Sequence, residues 1–202
     1  IRLGLRGLEE EQGNSYPILR VIAHEDFRLD KLHFDIALVQ YDPRAGSRGR
    51  GTFGAQAIEI DRQPSAIWPA VPGRAVYAYG WGVTDFKTRR MADKLQGVKL
   101  LLNGALDCTR SSRFTNPEVR DSVLCAATPT GRQACEGDSG GPLVLDRGIG
   151  KRPLLVGVVS GGFKCGTSKS RRASQYTRIG HRAVQEFLEA NLPDFAARQR
   201  RR

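Results

Sequence analysis

Ser139 stands in Ala134-Cys135-Glu136-Gly137-Asp138-Ser139-Gly140-Gly141-Pro142-Leu143, among glycines and directly after an acid. Glycines allow sharp turns and let a substrate backbone approach closely. Successive N–H groups in such a turn point at one spot, where the oxyanion of acyl transfer would develop. A serine beside that spot is a candidate nucleophile, provided a base takes its proton. Gly137-Asp138-Ser139-Gly140-Gly141 also satisfies G-x-S-x-G, the nucleophile turn of α/β-hydrolases, which needs a strand before the serine and a helix after it. Here Pro142 leads into the apolar run Leu143-Val144-Leu145, a turn into a strand, so that reading fails on context. Four cysteines, Cys108, Cys125, Cys135 and Cys165, form no C-x-x-C pair and have no histidine nearby to complete a zinc set. Neither a metal nor a cofactor is therefore expected. An even count suits two disulfides in an oxidising compartment, with four buried free thiols as the alternative.

The elements that must hold these residues are mostly short strands broken by glycine. Expected strands are 18–23, 36–41, 75–79, 98–102, 143–145, 154–160 and 174–179, each apolar or β-branched and bounded by Gly, Pro, Asp or Ser. Many short strands with turn-rich connections imply an all-β barrel or sandwich, and the nearly all-apolar Leu154–Val159 implies a central strand. Residues 42–72, rich in Gly and Pro, read as a connection between two β units. One helix is expected over 181–191, with Val184, Phe187, Leu188 and Asn191 on one face and Pro193 beyond its end. The domain division that follows is 1–50 for a first β unit, 51–72 for a linker, 73–180 for a second unit, 181–192 for the helix and 193–202 for a disordered basic tail.

The chain has 202 residues and carries 32 Lys and Arg against 21 Asp and Glu, a net charge of +11. A solvated basic surface explains that charge better than specific nucleic-acid binding, for which no zinc-finger spacing or aromatic–basic signature is present. The tail residues Arg198, Arg200, Arg201 and Arg202 leave an acidic partner as the candidate for that segment. No apolar run approaches the ~20 residues that span a bilayer, so no membrane association is expected. The chain opens Ile1-Arg2-Leu3-Gly4, without a Met start or a signal peptide.

Read together, these segments resemble the trypsin/chymotrypsin-like serine proteases through almost the whole chain. His33-Phe34-Asp35-Ile36-Ala37-Leu38-Val39 is similar to the family's "DIAL" strand, Tyr79-Gly80-Trp81-Gly82 to its "GWG" segment and Ser122–Ala126 to "mlCA". Cys135–Leu143 is similar to "CxGDSGGPL", Gly157–Ser160 to the substrate-binding strand and Gln175–Ile179 to "VYTRV". The resemblance implies two antiparallel β-barrels, the first incomplete here, plus a C-terminal helix. It also implies serine-type peptide-bond hydrolysis through an acyl-enzyme on Ser139, acting on protein or peptide substrates. Gly137 and Ser139 N–H would form the oxyanion hole, Asp35 would orient a histidine, and Asp138 would pair with a new N-terminal amine after zymogen cleavage. Cys108–Cys125 and Cys135–Cys165 would be disulfides. A third family bridge would join the positions of Val76 and Leu145, both apolar here, so packing is expected to replace it. A secreted or periplasmic location follows from the family and the cysteines.

Where the chain departs from the family pattern, it changes what is expected of it. No "AAHC" segment precedes Asp35, and Arg2-Leu3-Gly4 is similar to the strand that follows it. By that likeness roughly 40–50 family residues, the catalytic histidine among them, are missing, and Ile1 is an internal strand residue rather than a mature N-terminus. His24 is similar to a surface turn residue of the family, and His33 shares a strand face with Asp35 if the segment is extended. His181 begins the helix, and all three are expected in surface or structural roles. The fragment itself is therefore expected to be inactive, with a non-catalytic, protein-binding homologue as the alternative. For the specificity pocket the resemblance implies Gln133 at the base, with Ala134, Ser160, Gly162 and Ser174 around it. A neutral Gln133 removes charge pairing with Arg or Lys, and Ser174 narrows the wall. Gly161 stands where the family usually has Trp.

Overall fold

Strand burial alternates along Ala75–Gly80 and Gln96–Asn103 so that Val76, Ala78, Leu100 and Leu102 all point inward, the two-residue period of a half-buried sheet. These strands belong to a computed structural model that describes residues 1–8, 13–29, 32–46, 55–62, 72–103, 121–161 and 173–192. Among the described residues the strands are β1 (Arg2–Leu3), β2 (Asn14–Ser15), β3 (Ile18–Ala23), β4 (Ala37–Tyr41), β5 (Glu59–Ile60), β6 (Ala75–Gly80), β7 (Val83–Asp85), β8 (Arg90–Met91), β9 (Gln96–Asn103), β10 (Val123–Ala127), β11 (Pro142–Leu145), β12 (Leu154–Gly161) and β13 (Ser174–Arg178). One helix, α1 (Arg182–Asn191), follows.

Six strands close into an antiparallel barrel in the order β11-β6-β9-β10-β13-β12, sealed by the pairing of β11 with β12. The core inside it holds Val76, Leu100, Leu102, Leu124, Leu143, Leu145, Val156 and Tyr176. Val76 and Leu145 are 0% and 1% exposed, and the register Leu143↔Ala78, Val144↔Tyr77 brings them opposite each other at its next step. Apolar packing thus occupies the place where the family's third bridge would be. Before the barrel lie two small antiparallel sheets, β1–β2 and β3–β4. Ile1 extends the first of them, its amine donating to Tyr16 O (2.9 Å) and its carbonyl accepting from Tyr16 N (2.8 Å).

Two details differ from the sequence reading. The span expected as linker carries β5, which pairs in parallel with β12 (Leu154↔Glu59, Leu155↔Ile60); a two-residue strand has no periodicity to reveal it. The stretch before β4 is a tight turn instead of strand. Leu32 and Phe34 have φ of 52° and 46°, and Ile36 N donates to Phe34 O (2.8 Å). A bulky residue in the left-handed region turns the chain, so His33 and Asp35 do not share a strand face. The tail from residue 193 lies outside the described residues.

His181 caps α1 as expected, its Nδ1 accepting from Ala183 N (3.2 Å). Val184 and Leu188 of α1 are buried with Ile179. Phe34, Ile36 and Leu38 from before the barrel, and Ile60, Leu155 and Val158 from the barrel side, pack against them. One helix face therefore joins the N-terminal strands to the barrel.

Candidate active site

Asp35 reaches the site through two hydroxyls of the barrel. Ser160 Oγ, on β12, donates to Asp35 Oδ2 (2.8 Å), and Thr177 Oγ1, on β13, donates to the Asp35 carbonyl (2.8 Å). Phe34, immediately before it, stacks on the buried His24 ring (4.7 Å, 12°) and lies 5.5 Å from the His181 ring. His24 is 4% exposed, so of the surface and structural roles expected for it the buried one is found. Its Nδ1 accepts from Asp26 N (3.2 Å), and its Nε2 faces Ala183 O at 3.4 Å. Two aromatic contacts and two hydroxyl bonds thus fix Asp35 in place.

Ser139 is exposed in the turn between Cys135 and β11. Gly137 and Gly140 have φ of 89° and 80°, values that favour glycine. Asp138 N donates to Cys135 O (3.0 Å), and Gly141 N to Asp138 O (2.8 Å). Gly140 N donates to Val159 O and Val159 N to Gly141 O, both at 2.9 Å. Val159 precedes Ser160, so one step of β12 connects the Ser139 turn to the Asp35 hydrogen bond. Among the described residues, no carbonyl takes the N–H of Gly137 or Ser139, and the Ser139 hydroxyl has no hydrogen bond. Two free donors beside an exposed hydroxyl can receive an oxyanion.

The Asp138 carboxylate is held by two backbone amides. Its Oδ1 accepts from Gly82 N and its Oδ2 from Cys135 N, both at 2.8 Å. A Cβ on Gly80 or Gly82 would come within 2.0 Å or 2.6 Å of the carboxylate, which accounts for the glycines flanking Trp81. Behind the carboxylate lies a cavity of about 570 Å³ walled by Gln133, Ala134, Tyr79, Val98 and Lys99, among others. Gln133 and Ala134 thus meet Asp138 at one cavity, whereas Ser160 and Ser174 are outside its wall. Ser174 is fully buried on β13, opposite Ala126 of β10. Among the described residues, neither its hydroxyl nor that of Tyr176 has a hydrogen-bond partner. Burial pushes the Tyr176 phenol pKa up, because the charged form is poorly solvated there.

Cys125 and Cys135 are not free thiols, and Cys108, Cys165 and Gly162 lie outside the described residues. Among the described residues no cluster of His, Cys, Asp and Glu is arranged to hold a metal ion, and no helix is long and apolar enough to cross a membrane. The sequence reading missed Thr177, the clamp of His24 and His181 around Phe34, and the bond between Ser160 and Asp35. The paired glycines around Trp81 were a readable sign that something approaches closely there.

A family model described as Trypsin matches residues 1–182. "Trypsin Blo t 3" of Blomia tropicalis is 31% identical over 164 residues, covering 80% of this chain and 56% of that protein. "Glucanase inhibitor protein 4" of Phytophthora infestans is 32% identical over 133 residues, covering 59% of this chain and 50% of that protein. "Clotting factor G beta subunit" of Tachypleus tridentatus is 26% identical over 191 residues, covering 89% and 57%. The chain spans about half the length of the curated relatives it matches.

Proposed function

The chain belongs to the trypsin family, and on that premise we propose that it carries the acyl-transfer half of a serine endopeptidase site. Ser139 Oγ attacks the scissile carbonyl, the N–H groups of Gly137 and Ser139 hold the oxyanion, and Asp35 orients the histidine that takes the serine proton. The observation that carries this reading is the continuous link from the free Ser139 turn through Val159 and Ser160 to the Asp35 carboxylate. The substrate backbone adds as a strand along Ser160-Gly161-Gly162. Gln133, Ala134, Ser160, Gly162 and Ser174 are assigned to the specificity pocket by the family pattern alone, with small or polar side chains preferred over Arg and Lys. Asp138 awaits an N-terminal amine, and the cavity beside its carboxylate has room for one. The disulfides are Cys108–Cys125 and Cys135–Cys165, and the protein acts outside the cytosol. An acidic partner is the fitting one for the Arg-rich tail. No cofactor takes part.

A fluorophosphonate probe tests the reading on the protein at the length the cell makes it. Covalent labelling at Ser139, absent in Ser139→Ala and after heat denaturation, is the expected result. A native protein that leaves the probe unreacted overturns it. The second reading is a non-catalytic homologue that binds other proteins. It is favoured by the likeness to two curated relatives named as glucanase inhibitor proteins.

A further inference from the structure

Glu136 places a carboxylate one residue before the free N–H of Gly137. Those donors favour an anion only while the local potential is positive, and a bare carboxylate opposes that. Arg89 answers it. Its Nη1 donates to Glu136 Oε1 (3.4 Å) and its Nη2 to Oε2, a fork on both carboxylate oxygens. Arg89 sits at the tip of the β7–β8 hairpin with φ of 54°. The same hairpin fixes the Glu136 backbone, since Val83 N donates to Glu136 O (2.8 Å). It also presses on the turn itself, because a Cβ on Gly137 would lie 2.9 Å from Met91 Cε. The other carboxylate of the turn, Asp138, is already answered by Gly82 N and Cys135 N. The Arg89 and Glu136 side chains are 64% and 51% exposed, and an ion pair so wet adds little to stability. Its effect is on the local field.

We propose that Arg89 is a positioning residue of the Ser139 turn: by cancelling the Glu136 charge it keeps the Gly137 and Ser139 N–H groups receptive to an anion. The catalytic consequence rests on Ser139 being the nucleophile; the field does not.

Amide hydrogen exchange reads that field directly. Base-catalysed exchange passes through a peptide anion, so a nearby negative charge slows it, whereas loosening the turn does not. In the 202-residue chain, Arg89→Ala is expected to slow exchange of the Gly137 amide about three- to fivefold, the factor for a unit charge ~6 Å away at a wet surface. Arg89→Lys, which keeps the charge, should show a smaller change. Arg89→Ala combined with Glu136→Gln should return the rate to that of the unaltered chain, and ~1 M salt should shrink the deficit. An Arg89→Ala rate that is unchanged or faster overturns the proposal, as does a double variant as slow as the single one. Fluorophosphonate labelling of the protein at the length the cell makes it, with and without Arg89→Ala, separates the two readings. If Ser139 is never labelled but the exchange pattern holds, the endopeptidase reading fails and this one stands. If Ser139 is labelled and the exchange pattern is absent, this one fails alone.

Discussion

Asp138 shows how one side chain constrains its neighbours. Its carboxylate lies on the backbone of Gly80 and Gly82, where a methyl group would collide with it. Gly82 is outside the left-handed region, so the cost of a larger residue there comes from contact alone. Gly82→Ala is expected to destabilise by about 1–3 kcal/mol through overpacking. Asp138→Ala should cost about 1–3 kcal/mol by leaving the Gly82 and Cys135 N–H groups unpaired. The double variant should lose less than the sum, with a coupling above about 0.5 kcal/mol, because each change removes what the other one damages. Urea unfolding of the four proteins measures this cycle, and simple additivity would show that the close approach is not what requires glycine at 82. The turn that carries Gly137, Asp138 and Ser139 was legible from the sequence because its glycines announce one. The Ser160–Asp35 bond and the Phe34 clamp were not, since each joins residues more than a hundred positions apart or depends on one left-handed φ.

Helix α1 is held to the barrel side by a polar contact as well as by its apolar face. Gln185 is 7% exposed, and its Nε2 donates to Asp61 O (2.9 Å) and Ile179 O (2.7 Å). Gln185→Leu keeps the volume but strands two buried carbonyls, for an expected loss of about 2–4 kcal/mol. Glu186→Ala, which removes the exposed pair with Arg182, should leave stability close to that of the unaltered protein. Thermal or chemical unfolding of both variants decides it: if Gln185→Leu is as mild as Glu186→Ala, the helix is held by its apolar face alone. The helix and the long barrel strands were readable because their periodicity is strong, as in Val184 and Leu188 or in Val76 and Ala78. Strand β5 was not, because its pairing with β12 is set by the barrel rather than by Glu59 and Ile60 themselves. The turn at 32–36 was hidden for another reason, since it is made by left-handed φ values at Leu32 and Phe34, residue types that do not announce one.

At the scale of the whole molecule, the barrel buries its core, but the sheet before it does not. Ile18, Leu19, Val21 and Val39 on β3 and β4 are 53%, 60%, 59% and 45% exposed, a surface of the kind that invites association. The same unevenness governs the chemistry. Of the three histidines, His24 and His181 are committed around the start of α1. Among the described residues none bonds Asp35 or Ser139. A serine hydroxyl without a base is a weak nucleophile, and removal of a triad member leaves residual catalysis only ~10³–10⁴-fold above water. Residues 1–202 expressed alone are therefore expected to cleave no peptide measurably. Fluorogenic peptides with Arg, Lys, Gln, Ser and Ala before the scissile bond provide the assay, with Ser139→Ala as the blank. Cleavage above that blank would mean that a histidine already in this chain, with His33 the nearest in sequence to Asp35, reaches the serine in solution. The site would then be a complete triad, and the oxyanion donors beside the Arg89–Glu136 pair would already be working in this chain.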